Sequence, residues 1–158
     1  MRRKLILWLF ENTRKMYVKV KRKDAWTINQ GELLTLPSNS LGYALGAFLA
    51  QHGFSMVPKV EEHDVFHVLF NIGTEVEDEL ALQFLCYGNG KWSLYLVGSL
   101  GLGLFLFPEY YRYFWESYQR GRQCRPFTNT DFRPLLELPL DTVRASLAIR
   151  TNLIGYKG

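Results

Sequence analysis

Apolar residues fall along much of this chain at helical spacing, and the polar positions between them mark where each helix should begin and end. Ile6, Leu9, Phe10, Tyr17 and Val20 lie on one helical line with the cations mostly off it, which predicts a basic amphipathic helix over residues 1–23. A second helix is better punctuated. Pro37-Ser38-Asn39-Ser40 supplies the cap, and Leu41, Ala44, Leu45, Phe48, Leu49 and His52 mark one face. Gly53 stands where a left-handed C-terminal residue would end it.

After a short link, Ser55–Glu62, the pattern predicts a helix carrying Asp64–Asn71 and ending before Gly73. Thr74-Glu75-Val76-Glu77 has the form of a capping box, with Thr74 as cap, so another helix should run from about Glu75 to Leu85 and close at Gly88-Asn89-Gly90. Trp92–Phe107 is the most apolar stretch, with Ser93 and Ser99 its only aliphatic hydroxyls. Leu100, Leu102, Leu104 and Leu106 alternate as a strand would, but a buried helix is the preferred reading. Gly98, Gly101 and Gly103 predict close packing, a kink or a tunnel wall there. The stretch is shorter than the roughly 20 residues that span a bilayer as a helix. Pro108 suits the first turn of an aromatic-rich helix from Glu109 to about Gln123. A last helix should start at Asp141, after Pro139, and carry Val143 and Leu147. These elements describe an all-α protein, expected as one compact helical domain of about six or seven helices.

Length and composition agree: 158 residues, 47% of them hydrophobic, suffice for one domain with a buried core, with no repeat or low-complexity tract. Charge changes the picture more. Residues 1–23 hold nine cations against Glu11 alone, a local net of +8 in a chain of net +4, so the remainder is acidic. The aromatic residues do not interleave with those cations as in a single-strand groove, which disfavours nucleic acid. A membrane surface fits them better, as does a solvated basic face on a packed helix. Leu5–Phe10 is too short for a secretory core and is followed by Glu11-Asn12-Thr13-Arg14, so no signal peptide is expected. Cys86 and Cys124, far apart and without CxxC spacing, read as buried thiols of a reducing compartment. The expected location is the cytoplasm, peripheral on the inner membrane surface.

Candidate chemistry concentrates in His63-Asp64-Val65-Phe66-His67. Positions i and i+4 share a helix face with Cβ atoms about 5–6 Å apart, so two imidazoles so placed can share one metal ion. Asp64 can be a ligand or can orient a histidine. Glu79 lies twelve residues beyond His67, and the break at Gly73-Thr74 lets a second helix fold back and bring it alongside. Two histidines with one or two carboxylates form a common divalent set. On spacing alone an HxxxH pair is more often structural than metal-binding, and Glu79 more often a solvated charge. Glu61 and Glu62 read as simple surface acids.

The spaced motif His63-Asp64-x-x-His67 followed by Glu79 resembles the signature of the Coq-four family of coenzyme Q (ubiquinone) biosynthesis proteins. Leu36-Pro37-Ser38-Asn39-Ser40-Leu41-Gly42-Tyr43, with Phe48-Leu49 and Gly53-Phe54, is similar to the family's upstream segment. Gly121-Arg122-Gln123-Cys124 and Pro139–Ile149 are similar to its C-terminal end, so the likeness covers residues 36–149. The segment before the motif, Ser55–Glu62, is shorter than in most members.

The resemblance implies an all-α fold and a divalent ion held by His63, Asp64, His67 and Glu79, with zinc ahead of iron or manganese. It implies a role in quinone synthesis, either as a C1 decarboxylase or hydroxylase of a prenylated aromatic ring precursor or as a lipid-binding scaffold for the biosynthetic enzymes. The implied partners are a prenylated quinone precursor or isoprenoid lipid and other quinone-biosynthesis proteins; the basic N-terminal residues add a membrane surface as an expected partner, and a second copy of the chain is left open. Trp92–Phe107 and the aromatic helix would house the polyprenyl tail. A third reading, an HD-type phosphohydrolase, would need His52 and either Asp131 or Asp141 as further ligands.

Overall fold

The computed structural model describes residues 25–57 and 61–150, with Lys4 the one described position before residue 25. The basic helix expected over residues 1–23 therefore lies outside the described residues. Among those described there are seven α-helices: α1 (Gln30–Leu33), α2 (Leu41–His52), α3 (Glu61–Phe70), α4 (Val76–Gly88), α5 (Leu94–Leu106), α6 (Tyr111–Gln123) and α7 (Leu140–Ser146). Two single 3-10 turns, Pro108–Tyr110 and Arg133–Leu135, complete the set. No strand occurs among them beyond one isolated antiparallel bridge, Ser40–Pro139. The all-α expectation holds.

The chain divides into two compact units, one of residues 25–69 with 131–143 and one of residues 70–130 with 144–150 among those described. In the first, a reciprocal box opens α1: Asn29 accepts from the Glu32 N–H at 3.1 Å, and Glu32 accepts from the Asn29 N–H at 2.7 Å. The Ser40 hydroxyl caps α2 by accepting from the Tyr43 N–H at 3.1 Å, and Gly53, at φ +63°, ends it as expected. The next orphan donors of α2 are satisfied from far along the chain, the Leu41 and Gly42 N–H groups donating to the Leu138 and Leu136 carbonyls at 2.9 and 2.8 Å. Leu33, Leu41, Leu45, Leu49, Val65, Leu69, Phe132 and Val143 are buried. Phe66 meets Phe132 edge to face, ring centres 5.9 Å apart.

The second unit is organised by α4 and α6, which approach so closely that Gly88 faces the Tyr118 carbonyl and Gly121 faces the Leu85 carbonyl. Phe84 and Phe114 stack between them at 4.9 Å. Asn89 ties the end of α4 to the chain after α6. Its amide donates to the Gly121 and Arg125 carbonyls at 3.0 and 3.1 Å, and its carbonyl accepts from the Phe127 N–H at 2.8 Å. Because Phe127 is fully buried, Asn89→Ala would strand that N–H away from water. The expected loss is about 2–4 kcal/mol of stability, read from the urea midpoint.

Several boundaries and environments differ from expectation. Helix α3 begins at Glu61, three residues before Asp64, and ends ahead of Asn71, which takes φ +51°. The box at the start of α4 uses Glu75 and Asp78 rather than Thr74 and Glu77, the Glu75 N–H donating to Asp78 at 3.2 Å. Asp78 lies over Gly73, where a Cβ would collide with it, and accepts from the Tyr113 hydroxyl at 2.9 Å. That distant bond sets the register of the cap. Helix α5 is helical as preferred, but it is not buried: only Leu96, Leu100 and Gly103 of its residues are. Of its three glycines, only Gly103 packs closely, against Leu80; nothing lies within 4 Å of a Cβ built at Gly98 or Gly101. Among the described residues no single helix is long and apolar enough to cross a membrane.

Both cysteines are free, Cys86 buried and Cys124 half-buried. Burial pushes the Cys86 thiol from its ordinary 9.0 up to about 11. The folded state thus keeps a proton that the unfolded chain gives up earlier, so this contribution to stability is complete below pH 9.0 and is lost as pH rises through about 11. Alkylation at pH 8 should spare Cys86 in the folded protein and reach it after denaturation, as peptide mass mapping would show.

Candidate metal centre

Helical periodicity on α3 does what the spacing requires. His63 and His67 sit one turn apart with ring centres at 4.8 Å and planes at 69°. Their surroundings differ: His67 is buried, while His63 is partly open to solvent. His67 lies flat against Phe48 of α2, centres 5.6 Å apart and planes within 16°, which fixes the plane of its ring. Phe48 was legible as a core-face residue of its helix, but no local pattern linked it to a histidine. Asp64 Oδ1 is 3.5 Å from His63 Nδ1, a place from which it can set the tautomer of that ring.

The two acids that open α3 are not surface charges, contrary to expectation. Glu61 is 2% exposed and Glu62 8%. Glu61 accepts from the Trp26 backbone N–H at 2.9 Å, and carboxylates in a first helical turn are favoured by the helix dipole. The far end of α3 is also held: Arg120, its guanidinium over the Phe70 ring, donates to the Phe70 carbonyl at 3.0 Å.

Glu79 follows Asp78 in the first turn of α4. Two tyrosines of the second unit anchor that turn, Tyr113 on Asp78 and Tyr110 on Glu77, the latter at 3.2 Å. Burial, with the Asp78 carboxylate beside it, pushes the Tyr113 hydroxyl well above the tyrosine range, so it remains a donor at any physiological pH.

His63, His67 and Glu79 each offer one ligand atom, and these atoms all lie within 4.8 Å of one another. Asp64 is not one of this group of three, nor are His52, Asp131 or Asp141. Two imidazoles and a carboxylate are the right donors for a borderline divalent ion, so the residues fit the group that the resemblance implies. His52 is engaged otherwise, its Nδ1 2.8 Å from the Phe48 carbonyl, and Asp131 pairs with Arg133. The phosphohydrolase reading loses its support.

Comparison with known proteins identifies the family. The family described as "Coenzyme Q (ubiquinone) biosynthesis protein Coq4" matches residues 54–152, more than half of the chain and all four motif residues. The chain belongs to this family. A Coq4 relative, the "Ubiquinone biosynthesis protein COQ4, mitochondrial" of Clavispora lusitaniae, is 24% identical over 151 residues, covering 81% of this chain and 47% of the relative. The chain thus spans about half the length of that curated relative. A crystal structure from Nostoc punctiforme PCC 73102, described as that of a ubiquinone biosynthesis protein, superposes with a TM-score of 0.68 at 17% identity, over 95% of this chain and 82% of that one. At that identity the likeness shows a shared fold.

Proposed function

We propose that this Coq4 protein is a metal-dependent enzyme of quinone biosynthesis, acting on a prenylated aromatic ring precursor that carries a carboxylate at C1. The observation that carries the reading is the convergence of His63, His67 and Glu79 on one point. These three residues would hold a divalent ion, zinc by the family resemblance, and Asp64 would orient His63 or add a fourth ligand. When bound, such an ion supplies Lewis acidity to a carboxylate or ring oxygen, and zinc supplies no electrons. Within its own unit each ligand has support: His67 lies flat against Phe48, and the turn that carries Glu79 is tied through its neighbour Asp78 to Tyr113. His63 is partly open to solvent, which leaves the site reachable by a ring. Other quinone-biosynthesis proteins are the natural partners, to supply the precursor and take the product.

Replacing a ring carboxylate by oxygen oxidises the ring, so dioxygen belongs in the assay. Protein loaded with zinc, iron or manganese in turn is incubated in air with a prenylated aromatic carboxylate, and products are read by mass spectrometry. Loss of carbon dioxide and gain of oxygen is expected with at least one metal and is absent in Glu79→Gln. Stoichiometric metal with no turnover under any of the three would reject the enzymatic reading.

A further inference from the structure

Helix α5 carries no formal charge, and its two faces meet different surroundings. Leu96, Leu100 and Gly103 face inward. Leu94, Val97, Gly98, Gly101, Leu104 and Phe105 fall at i, i+3, i+4, i+7, i+10 and i+11, one continuous stripe, and every one of them is exposed. Leu94 is 80% and Phe105 81% open to solvent. A helix that borders water carries polar residues on its outer face; this one carries none.

The flanks say what covers it. Lys91 and Trp92 precede the stripe, with Tyr95 in its first turn; Tyr111, Arg112 and Trp115 follow, and all six are exposed. Aromatic rings at both ends of an uncharged apolar helix, with Lys91 at the first end and Arg112 paired with Glu116 at the second, match the layered chemistry of a bilayer interface, headgroups beside hydrocarbon. From residue 80 to residue 108 the chain has no Asp or Glu, and Lys91 is its one formal charge. The 13 residues of α5 span about 20 Å, short of the roughly 30 Å of hydrocarbon, and the helical segment after Pro108 turns off at 103°. A stripe of this length suits a position along a bilayer rather than across it. A second copy is a poorer occupant, since a footprint of about 20 by 10 Å falls well below the ~800 Å² per partner of a standard interface.

We propose that the outer face of α5 inserts into the surface of a lipid bilayer, docking the protein by its Leu94–Phe105 stripe. This goes beyond the metal-centre reading and stands without it.

The test is flotation of the full chain with phosphatidylcholine vesicles at low and high salt, comparing wild type with the double variant Leu94→Glu/Phe105→Glu. Both substitutions lie on the open face, and circular dichroism with a melting curve checks folding. Wild type is expected to float with neutral vesicles at both salt levels, with its tryptophan emission quenched by brominated lipid. The folded double variant should lose at least about tenfold in partitioning. Wild type that does not float overturns the proposal. So does binding that survives the double substitution but disappears in high salt, which would assign it to the basic N-terminal residues. A wild-type dimer that ignores vesicles and becomes monomeric in the double variant would assign the stripe to a second copy.

Discussion

Replacing His63 and His67 together by alanine is expected to strip the purified protein of divalent metal, where wild type holds about one ion per chain. Elemental analysis after dialysis reads this directly. The size of the effect follows from the donor set. His63, His67 and Glu79 offer one ligand atom each, and losing both imidazoles leaves one carboxylate, which cannot compete with water for a borderline ion. Affinity should fall by well over the 10–100-fold that removal of a mere orienting partner costs. Asp64→Asn is the informative companion. If Asp64 only orients His63 from 3.5 Å, stoichiometry at saturating metal is kept and affinity falls about 10–100-fold. If Asp64 is a ligand, occupancy itself falls. Metal retained by the double histidine variant would place the ion elsewhere, and a wild type that takes up no metal even after resupply would end the metal-dependent reading.

What could be foreseen from sequence follows the range of each interaction. Ser40 as a cap, Gly53 as a stop and the His63–His67 pair are local, depending on neighbours within a turn or two, and each stands where the pattern put it. Glu79 is legible only in part: the break at Gly73-Thr74 allows a second helix to fold back, but spacing alone makes Glu79 a solvated charge, and the family motif is what singles it out. The misplaced cap has a distant cause. Thr74 is a better local cap than Glu75, but Asp78 is held by Tyr113, 35 residues away, and that bond moves the box by one position. Glu61 reads as a surface acid until Trp26, also 35 residues away, supplies its donor. Helix α5 differs for another reason: an uncharged apolar run carries no mark to distinguish a core from a face turned outward, and composition alone points to burial.

Gly121→Ala should destabilise the protein by about 2 kcal/mol or more, against the usual sign of a glycine-to-alanine change inside a helix. Helix propensity alone favours alanine by about 1 kcal/mol. At Gly121, however, the added methyl would meet the Leu85 carbonyl and approach the Asn89 backbone nitrogen to 3.1 Å. These are backbone atoms of α4 and its cap, unable to swing aside as a side-chain tip can, so α4 and α6 must part. Parting them loosens the Phe84–Phe114 stack and stretches the bond from Asn89 to the Gly121 carbonyl itself. Overpacking of this kind costs about 1–3 kcal/mol, and the polar bonds add to it. Gly88→Ala, which faces the Tyr118 carbonyl in the same seam, should act alike. The two together should cost less than their sum, because the first already separates the helices. Gly98→Ala is the control with opposite sign. Nothing lies within 4 Å of its Cβ position, so propensity acts alone and stability should rise by about 0.5–1 kcal/mol. Urea midpoints at constant slope would measure all four variants. A Gly121→Ala protein as stable as Gly98→Ala would mean that the close approach of α4 and α6 does not hold the second unit together.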